Sequence, residues 1–317
     1  MSDNIKGVLL SLAAFAIFAT HDVFLKLLGG GYAPFQILFF TALFSFPLTI
    51  FWLLSDKTEA NLRPHHPWWT ILRAISGLIT AVCAVYAFSV LPLSQTYALL
   101  FTMPLFVTLL SVPLLGEKVG WRRAAAVIVG LIGVVIVLQP RGASLGLGHL
   151  AALVAAITAA FSSIIIRKIG HEERSIVMML IPLVGNFVIM GTALPFVYVP
   201  MPLIDLGFIA LVALLGFCAM ALTIAAYNAA EAAIVAPMQY SQIIWATIFG
   251  YLIFEETLSL TTALGSAIVI ASGLFIVFRE RDLSKGNQPV LRSSDQRPTL
   301  AVRPRIGDVR RARENTE

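Results

Sequence analysis

The chain has 317 residues, of which 58% are hydrophobic and 12% are charged, and its mean hydropathy is +0.88. Soluble domains have roughly 25% charged residues, so this composition excludes an ordinary soluble enzyme and predicts a membrane protein. The net charge of +5 belongs mostly to the tail, because ten of the 22 Lys and Arg residues lie at 279–317. That tail has no aromatic side chain to stack on bases, so we expect no nucleic-acid partner.

Ten stretches have the length and composition of membrane-spanning helices, which need about 20 mostly apolar residues. Some connections, such as 29–33 and 91–94, are so short that they predict antiparallel neighbours. We therefore predict an all-α membrane protein with ten transmembrane helices. The predicted spans are 7–28, 34–54, 70–90, 95–115, 122–139, 148–166, 175–198, 205–227, 233–254 and 260–278.

The segment 103–138 has a divergent second copy 139 positions later. Each copy has an apolar span, a turn with a glutamate and another apolar span, and Glu117 aligns with Glu256. A second register, at an offset of 141, aligns Lys26 with Arg167. Self-similarity at a nearly fixed offset indicates an internal repeat, here of five spans in each copy.

These registers divide the chain into three predicted parts. We expect five-helix repeats at 5–140 and 147–278, followed by a disordered, basic, cytoplasmic tail at 279–317, which has too little apolar content to fold alone.

Basic residues predict the orientation in the membrane. With the N-terminus inside, 20 of the Lys and Arg residues fall on the cytoplasmic side, and only Lys26 and Arg141 fall outside. Because five spans is an odd number, the second repeat enters the membrane from the opposite side, so the repeats are predicted to be inverted. We expect a multi-pass protein of the bacterial inner membrane with both termini in the cytoplasm.

Few ionisable residues lie inside the predicted spans, and each costs roughly 2.5–3.5 kcal/mol on insertion scales, which makes them functional candidates. His21, Asp22 and Lys26 lie in the first span, and Arg73 begins the third. Asp22 and Lys26 share a helix face and could neutralise each other. Alternatively, His21 or Asp22 binds a cationic substrate group or relays a proton. Arg73 holds an anionic substrate or anchors the inner boundary.

Polar and aromatic residues concentrate in the fourth and ninth spans. Pro104 and Pro237 interrupt the hydrogen-bond ladder there, as in the discontinuous helices of transporters, although a kink without a role is the alternative. The polar side chains either line a water-filled substrate cavity or hold helices together. The candidate substrate-binding residues are Tyr86, Tyr97, Phe101, Asn228, Gln239, Tyr240, Gln242 and Trp245.

Other patterns predict absences or packing. His65 and His66 have no Cys, Asp or Glu at metal-ligand spacing, so we expect no metal site. The chain has no GxSxG, Walker A or HExxH motif, so we expect no cofactor and no familiar enzyme. Small residues in the fifth and tenth spans predict a packing or homodimer face. These residues are Gly130, Gly133, Gly265 and Gly273.

The paired turns LLGEKVGWRR and IFEETLSLTT, each before a last span with glycines, resemble the drug/metabolite transporter superfamily, specifically its EamA type. The resemblance covers about 5–278. It implies a cavity between the third, fourth, eighth and ninth spans, and alternating access by rocking of the two halves. The first-span DVFLK run and the ninth span are similar to the branch that includes bacterial S-adenosylmethionine and riboflavin transporters. Glu255 stands where the first repeat has Gly116, and Ala126 stands where the second has Gly265.

These patterns together predict a secondary transporter that moves a small organic metabolite across the bacterial inner membrane, such as S-adenosylmethionine, riboflavin or an amino-acid-like solute. The partners are then the small-molecule substrate and the lipid bilayer. A broad-specificity drug exporter is the alternative within transport. An intramembrane enzyme that uses His21 and Asp22 would need a second ionisable cluster, and a scaffold would need a passive interior; the sequence shows neither.

Overall fold

The computed structural model of the chain describes most of the two predicted repeats. The described residues are 3–54, 64–117, 119–138, 145–169, 172–173, 175–230 and 232–284. The predicted tail from residue 285 onward and Arg141 lie outside the described residues.

All the regular structure in the described residues is helical. The elements are α1 (Asp3–Gly29), α2 (Pro34–Leu54), α3 (Pro67–Val90), α4 (Leu93–Leu100), α5 (Met103–Leu115), α6 (Trp121–Leu138), α7 (Leu147–Ile169), α8 (Ser175–Val197), α9 (Leu203–Ala229), α10 (Ala232–Val235), a 3-10 helix (Ala236–Ser241), α11 (Gln242–Phe254) and α12 (Leu260–Ser284). Each predicted span coincides with one helix or one broken helix.

Eight of these helical segments are long and apolar enough to cross a membrane, counting α4 and α5 together as one segment. The second predicted span has a shorter apolar core, Pro34–Ile50, and the ninth is divided between α10, the 3-10 helix and α11. The described part of the chain is therefore an all-helical, multi-pass membrane protein.

The two divided spans break next to proline residues. Pro104 lies in the first turn of α5, and its missing N–H cannot bond to the carbonyl four residues earlier. Pro237 lies in the first turn of the 3-10 helix, which is tighter than an α-helix. The fourth and ninth spans are therefore discontinuous, at the places where the sequence predicts weakened ladders.

Helices of the two halves pack against each other in a symmetric pattern. The most extensive interfaces are α1 with α9, α3 with α7, and α6 with α12. The first helix of each half thus packs on the third helix of the other half, and the two last helices pack together. The rocking of one sequence half against the other that the resemblance implies would therefore act at these three interfaces.

The two glutamate turns lie at opposite ends of α7. Glu117 contacts Arg167, in the last turn of α7, at 2.5 Å. Glu256 accepts the N–H of the first residue of α4, and Gln95 of α4 contacts His149, in the first turn of α7, at 3.1 Å. Eighteen residues of helix separate His149 from Arg167, a distance of about 27 Å.

The glycines of α6 and α12 pack these helices together within one chain. A Cβ atom on Gly133 would lie 3.0 Å from the carbonyl of Gly265, and one on Gly265 would lie 2.7 Å from the carbonyl of Gly133. Ser272 of α12 donates to the carbonyl of Ala126 at 2.5 Å. Of the two predicted roles for these glycines, intramolecular packing is the one that the structure shows.

A buried glutamine ties α2 to the segment before α9. Gln36 is fully buried; its amide nitrogen donates to the carbonyl of Val199 at 2.6 Å, and its amide oxygen accepts the N–H of Val199 at 2.9 Å. Nearby, Tyr32 donates to Asp205 at 2.5 Å, and this hydrogen bond raises the pKa of Tyr32. Both contacts join loops that the sequence places on the outer side.

We expect Gln36→Met to destabilise the protein, because it leaves both backbone groups of Val199 without their buried partner. The expected cost is about 1–3 kcal/mol, measured as a lower midpoint of thermal unfolding in detergent. Thr192→Val is the control, since the exposed Thr192 hydroxyl bonds only within its own helix. Equal midpoints for the two variants would contradict the assignment.

The equivalent positions Gly116 and Glu255 both adopt left-handed backbone, with φ of 69° and 55°. This conformation costs a residue with a Cβ about 1–2 kcal/mol, so we expect Glu255→Gly to raise the unfolding midpoint. Gly116→Ala should lower it by a comparable amount, since open space around Gly116 leaves only the backbone cost. A fall in the midpoint for Glu255→Gly would show that its side chain outweighs the backbone strain.

Candidate functional site

A chain of hydrogen bonds joins three ionisable side chains between α1 and α4. His21 Nδ1 lies 2.7 Å from Asp22 Oδ1, and the Tyr97 hydroxyl donates to Asp22 Oδ2. The side chains of His21 and Asp22 are 18% and 13% exposed, and Tyr97 is buried. Both carboxylate oxygens are therefore engaged, in a position where an unpaired charge would be costly.

An aromatic strip extends from this cluster to the 3-10 helix. The ring of Tyr97 lies 5.3 Å from that of Phe88 and 5.8 Å from that of Phe101. Phe101 in turn meets Tyr240 edge to face, with centroids 5.0 Å apart. Phe101 directly follows α4 at its break, and Tyr240 lies in the 3-10 helix. The aromatic strip, Phe88, Tyr97, Phe101 and Tyr240, thus joins the two discontinuous spans.

The close approach of α12 holds Tyr240 in this position. A Cβ atom on Gly273 would lie 2.2 Å from the Tyr240 hydroxyl, so only glycine leaves room for the ring. Tyr240 is therefore packed between Gly273 of α12 and Phe101, so that α12 holds the Tyr240 ring against Phe101.

The remaining polar residues of the ninth span lie beside Tyr240. Gln239 is in the 3-10 helix, and Gln242 and Trp245 are in the first turn of α11; all three are half-buried. Trp245 stacks on Phe249, with ring centroids 6.0 Å apart. These side chains can present amide groups and a flat apolar surface to a solute. The structure therefore places six predicted site residues on or beside one strip.

Lys26 has a different partner from the one that helical spacing suggests. Its ammonium group lies 2.9 Å from Glu256, donates to the carbonyl of Leu91, and lies 5.2 Å above the ring of Phe254. Asp22, four residues earlier, is occupied by His21 and Tyr97. The pairing of Asp22 with Lys26, one of the two alternatives, is therefore wrong, because Asp22 bonds to Tyr97 of α4 and Lys26 pairs with Glu256 in the turn after α11.

Three further predicted residues lie away from the aromatic strip. Tyr86 is half-buried near the C-terminal end of α3, and Arg73 is half-buried in the second turn of the same helix. Asn228 is exposed at the end of α9, next to Ala230, which packs on Gly7. Gly7 lies fifteen residues, or about 22 Å along α1, from Asp22, so Asn228 lies near the other end of α1.

The described segments contain no group of three or more His, Cys, Asp or Glu side chains that could hold a metal ion. His66, one of the adjacent histidines, contacts the carboxylate of Glu172 instead. The described site therefore offers a carboxylate, an imidazole, hydroxyls, amides and aromatic rings for binding.

In the sequence, Glu256 stands out only as the glutamate of the turn that aligns with Glu117. The structure shows that it caps α4, through the N–H of Leu93 at 2.9 Å, and also pairs with Lys26. The sequence signal for the Lys26–Glu256 pair is the internal repeat, because its two registers align Glu117 with Glu256 and Lys26 with Arg167.

Several transporters of known name are similar to this chain. An S-adenosylmethionine uptake transporter of Rickettsia bellii (strain RML369-C) is 26% identical over 285 residues, which cover 89% of this chain and 98% of that protein. A riboflavin transporter of Rhizobium johnstonii (strain DSM 114642 / LMG 32736 / 3841) is 29% identical over 76% of this chain and 78% of its own. A pseudopaline exporter of Pseudomonas aeruginosa (strain UCBPP-PA14) is 24% identical over 84% of this chain and 94% of its own.

A solved crystal structure shares the fold, with a TM-score of 0.58 and 18% identity over 86% of this chain and 98% of the other. The model of the EamA-like transporter family matches residues 5–139 and 146–278. The resemblance to the EamA type of the drug/metabolite transporters is thereby confirmed, and the relatives that carry a specific name are transporters rather than enzymes. This chain belongs to the EamA-like transporter family.

Proposed function

We propose that the protein is a secondary transporter of a small organic metabolite in the bacterial inner membrane. One observation carries this proposal: Asp22, His21 and Tyr97 are joined inside the membrane-spanning part, where they continue into an aromatic strip between two broken helices. Charged groups in this location are costly, and they persist where they bind or relay charge. Broken spans at the middle of a bundle are the usual place for a transporter's substrate.

The two repeats, 5–140 and 147–278, are proposed to be inverted with respect to the membrane. The positions of the two glutamate turns at opposite ends of α7 support this arrangement. The excess of basic residues on one set of loops supports a cytoplasmic location for both termini and for the tail at 279–317.

The chemistry of the site favours a solute with a flat ring and a positive group. Aromatic side chains stack on planar rings, while the Asp22 carboxylate can bind a cation in place of its present partners. S-adenosylmethionine has an adenine ring and a sulfonium charge, whereas riboflavin has a flat ring without a positive charge. Comparing these two solutes separates the ring contribution from the charge contribution.

Export of a broad range of compounds is the second candidate. The similarity to a pseudopaline exporter over 84% of the chain favours the export direction, and the breadth of the substrate range is the part that the assay below tests. A growth assay against unrelated toxic compounds distinguishes the two. Resistance to several of them would favour the exporter.

The transport site is tested with purified protein in liposomes, by exchange of labelled S-adenosylmethionine or riboflavin across the membrane. We expect Trp245→Ala and Gln242→Ala to lower the exchange rate about tenfold, since each removes a stacking or hydrogen-bonding surface. Ile244→Ala is the matched control, because Ile244 is 61% exposed on the same helix. Full exchange by both site variants would remove this site from the proposal.

The role of the carboxylate is tested with Asp22→Asn. This variant keeps an acceptor for Tyr97 but loses the negative charge, so we expect the apparent affinity for S-adenosylmethionine to fall about tenfold to a hundredfold. Riboflavin, which has no positive charge to pair, should be affected much less. Competition between unlabelled and labelled solute measures both affinities, and equal losses for the two solutes would contradict a charge-binding role.

A further inference from the structure

An ion pair closes one end of the described helices. Lys26 Nζ lies 2.9 Å from Glu256 Oε1, and the two side chains are 12% and 16% exposed. Lys26 also donates to the carbonyl of Leu91, and Glu256 Oε2 accepts the N–H of Leu93. The end of α1 and the turn after α11 are thus both held at the corner between α3 and α4.

A second ion pair closes the opposite end. Arg167 Nη2 lies 2.5 Å from Glu117 Oε1, and these side chains are 16% and 20% exposed. The neighbouring Lys168 reaches the carbonyl of Leu114 at 3.4 Å. The end of α7 is thus held at the turn after α5, about 27 Å along α7 from the level of the first pair.

The internal repeat relates the two ion pairs. Lys26 aligns with Arg167, and Glu256 aligns with Glu117, in the two registers seen in the sequence. In each pair the cation belongs to one half of the chain and the carboxylate to the other, and the halves exchange these roles between the pairs. The duplication has therefore produced one ion pair at each end of the described helices.

The same backbone turn positions both carboxylates. The N–H of Glu117 donates to the carbonyl of Ser111, and the N–H of Glu256 donates to that of Gly250. Both bonds join residues six positions apart, one more than the long bond of a Schellman motif, and the residue before each glutamate is left-handed. The two glutamates are therefore presented in the same way to two different helices.

The centre of the protein is buried between the two pairs. Thr102, at the break between α4 and α5, is 0% exposed, and Tyr97 and Phe101 are 3% and 7% exposed. A transporter that alternates access needs a closure on each side of its site. We propose that Lys26–Glu256 is the outer gate and Arg167–Glu117 the inner gate, and that this structure, with both formed, is the occluded state.

The gate assignment rests on the proposed transport function. The contacts on α1 and α4 also connect the outer gate to the candidate site. Asp22 and Lys26 lie one turn apart on α1. Asp22 accepts from Tyr97 of α4, and Glu256, the partner of Lys26, accepts the N–H of Leu93, one turn before Tyr97 on α4. The site and the outer gate are therefore adjacent steps on the same two helices. A solute that displaces Tyr97 from Asp22 acts directly on α4, which the gate holds at its first residue.

Access to a buried cysteine tests the gates without any transport measurement. The reporter is Thr102→Cys, in a chain in which Cys83 and Cys218 are replaced by alanine. Inside-out and right-side-out vesicles are treated with a membrane-impermeant maleimide, and the labelling rate is measured from each side. We expect slow labelling from both sides, about tenfold faster labelling from the outer side in Glu256→Gln, and about tenfold faster labelling from the inner side in Glu117→Gln.

Glu255→Gln is the matched control, since Glu255 lies in the same turn as Glu256, is exposed, and should leave both rates unchanged. The proposal is overturned if Glu256→Gln and Glu117→Gln open the same side, or if neither changes the rates in folded protein. If either glutamine variant fails to fold, the shorter Glu256→Asp and Glu117→Asp should give intermediate rates from the same opposite sides.

A charge exchange separates gating from general loosening of the helices. Glu117→Arg combined with Arg167→Glu restores an ion pair, so the double variant should return to slow labelling from the inner side, while either single change labels fast. Fast labelling by the double variant would count against an ion-pair gate. If the gates behave as expected but no solute is exchanged in liposomes, the proposed transport function fails and the gate assignment stands.

Discussion

The bilayer offers no water to a buried charge, and the charged groups between α1, α4 and the turn after α11 find their partners within the chain. Asp22 uses both oxygens on His21 and Tyr97. Lys26 finds Glu256 and a backbone carbonyl, and the remaining oxygen of Glu256 caps α4. These contacts connect α1, α4 and the turn after α11, so the polar groups that a membrane would reject become the links between these elements.

The interfaces also determine which elements can move. Because α1 packs along α9 and α3 along α7, the sequence halves are interleaved. A motion that separated the halves would expose the large apolar surfaces of these interfaces. Under the proposed gating, the ends of helices move instead, where the ion pairs Lys26–Glu256 and Arg167–Glu117 open. The breaks beside Pro104 and Pro237 leave α4 and α11 as short segments.

The sequence was sufficient for the helices and the proline breaks, because length, hydropathy and proline chemistry are local properties. Partners that lie far apart in the chain were not predicted. Helical spacing suggested Asp22 as the partner of Lys26. The partner in the structure is Glu256, which is 230 residues away and has no local sequence signature. The clamp of Gln36 on Val199 was missed for the same reason. Only the repeat gave long-range information, since it related both cations and both glutamates.

Duplication left one difference between the two ends of the protein. In the register that aligns Lys26 with Arg167, the position of Asp22 is taken by Ser163, whose hydroxyl bonds to the carbonyl of Ala159 in its own helix. The carboxylate of the proposed site therefore belongs to one half of the chain, and the other half has a neutral hydroxyl at the related position. Under the proposed transport function, a membrane potential would act on a positive solute at this one carboxylate and not at two equivalent ones.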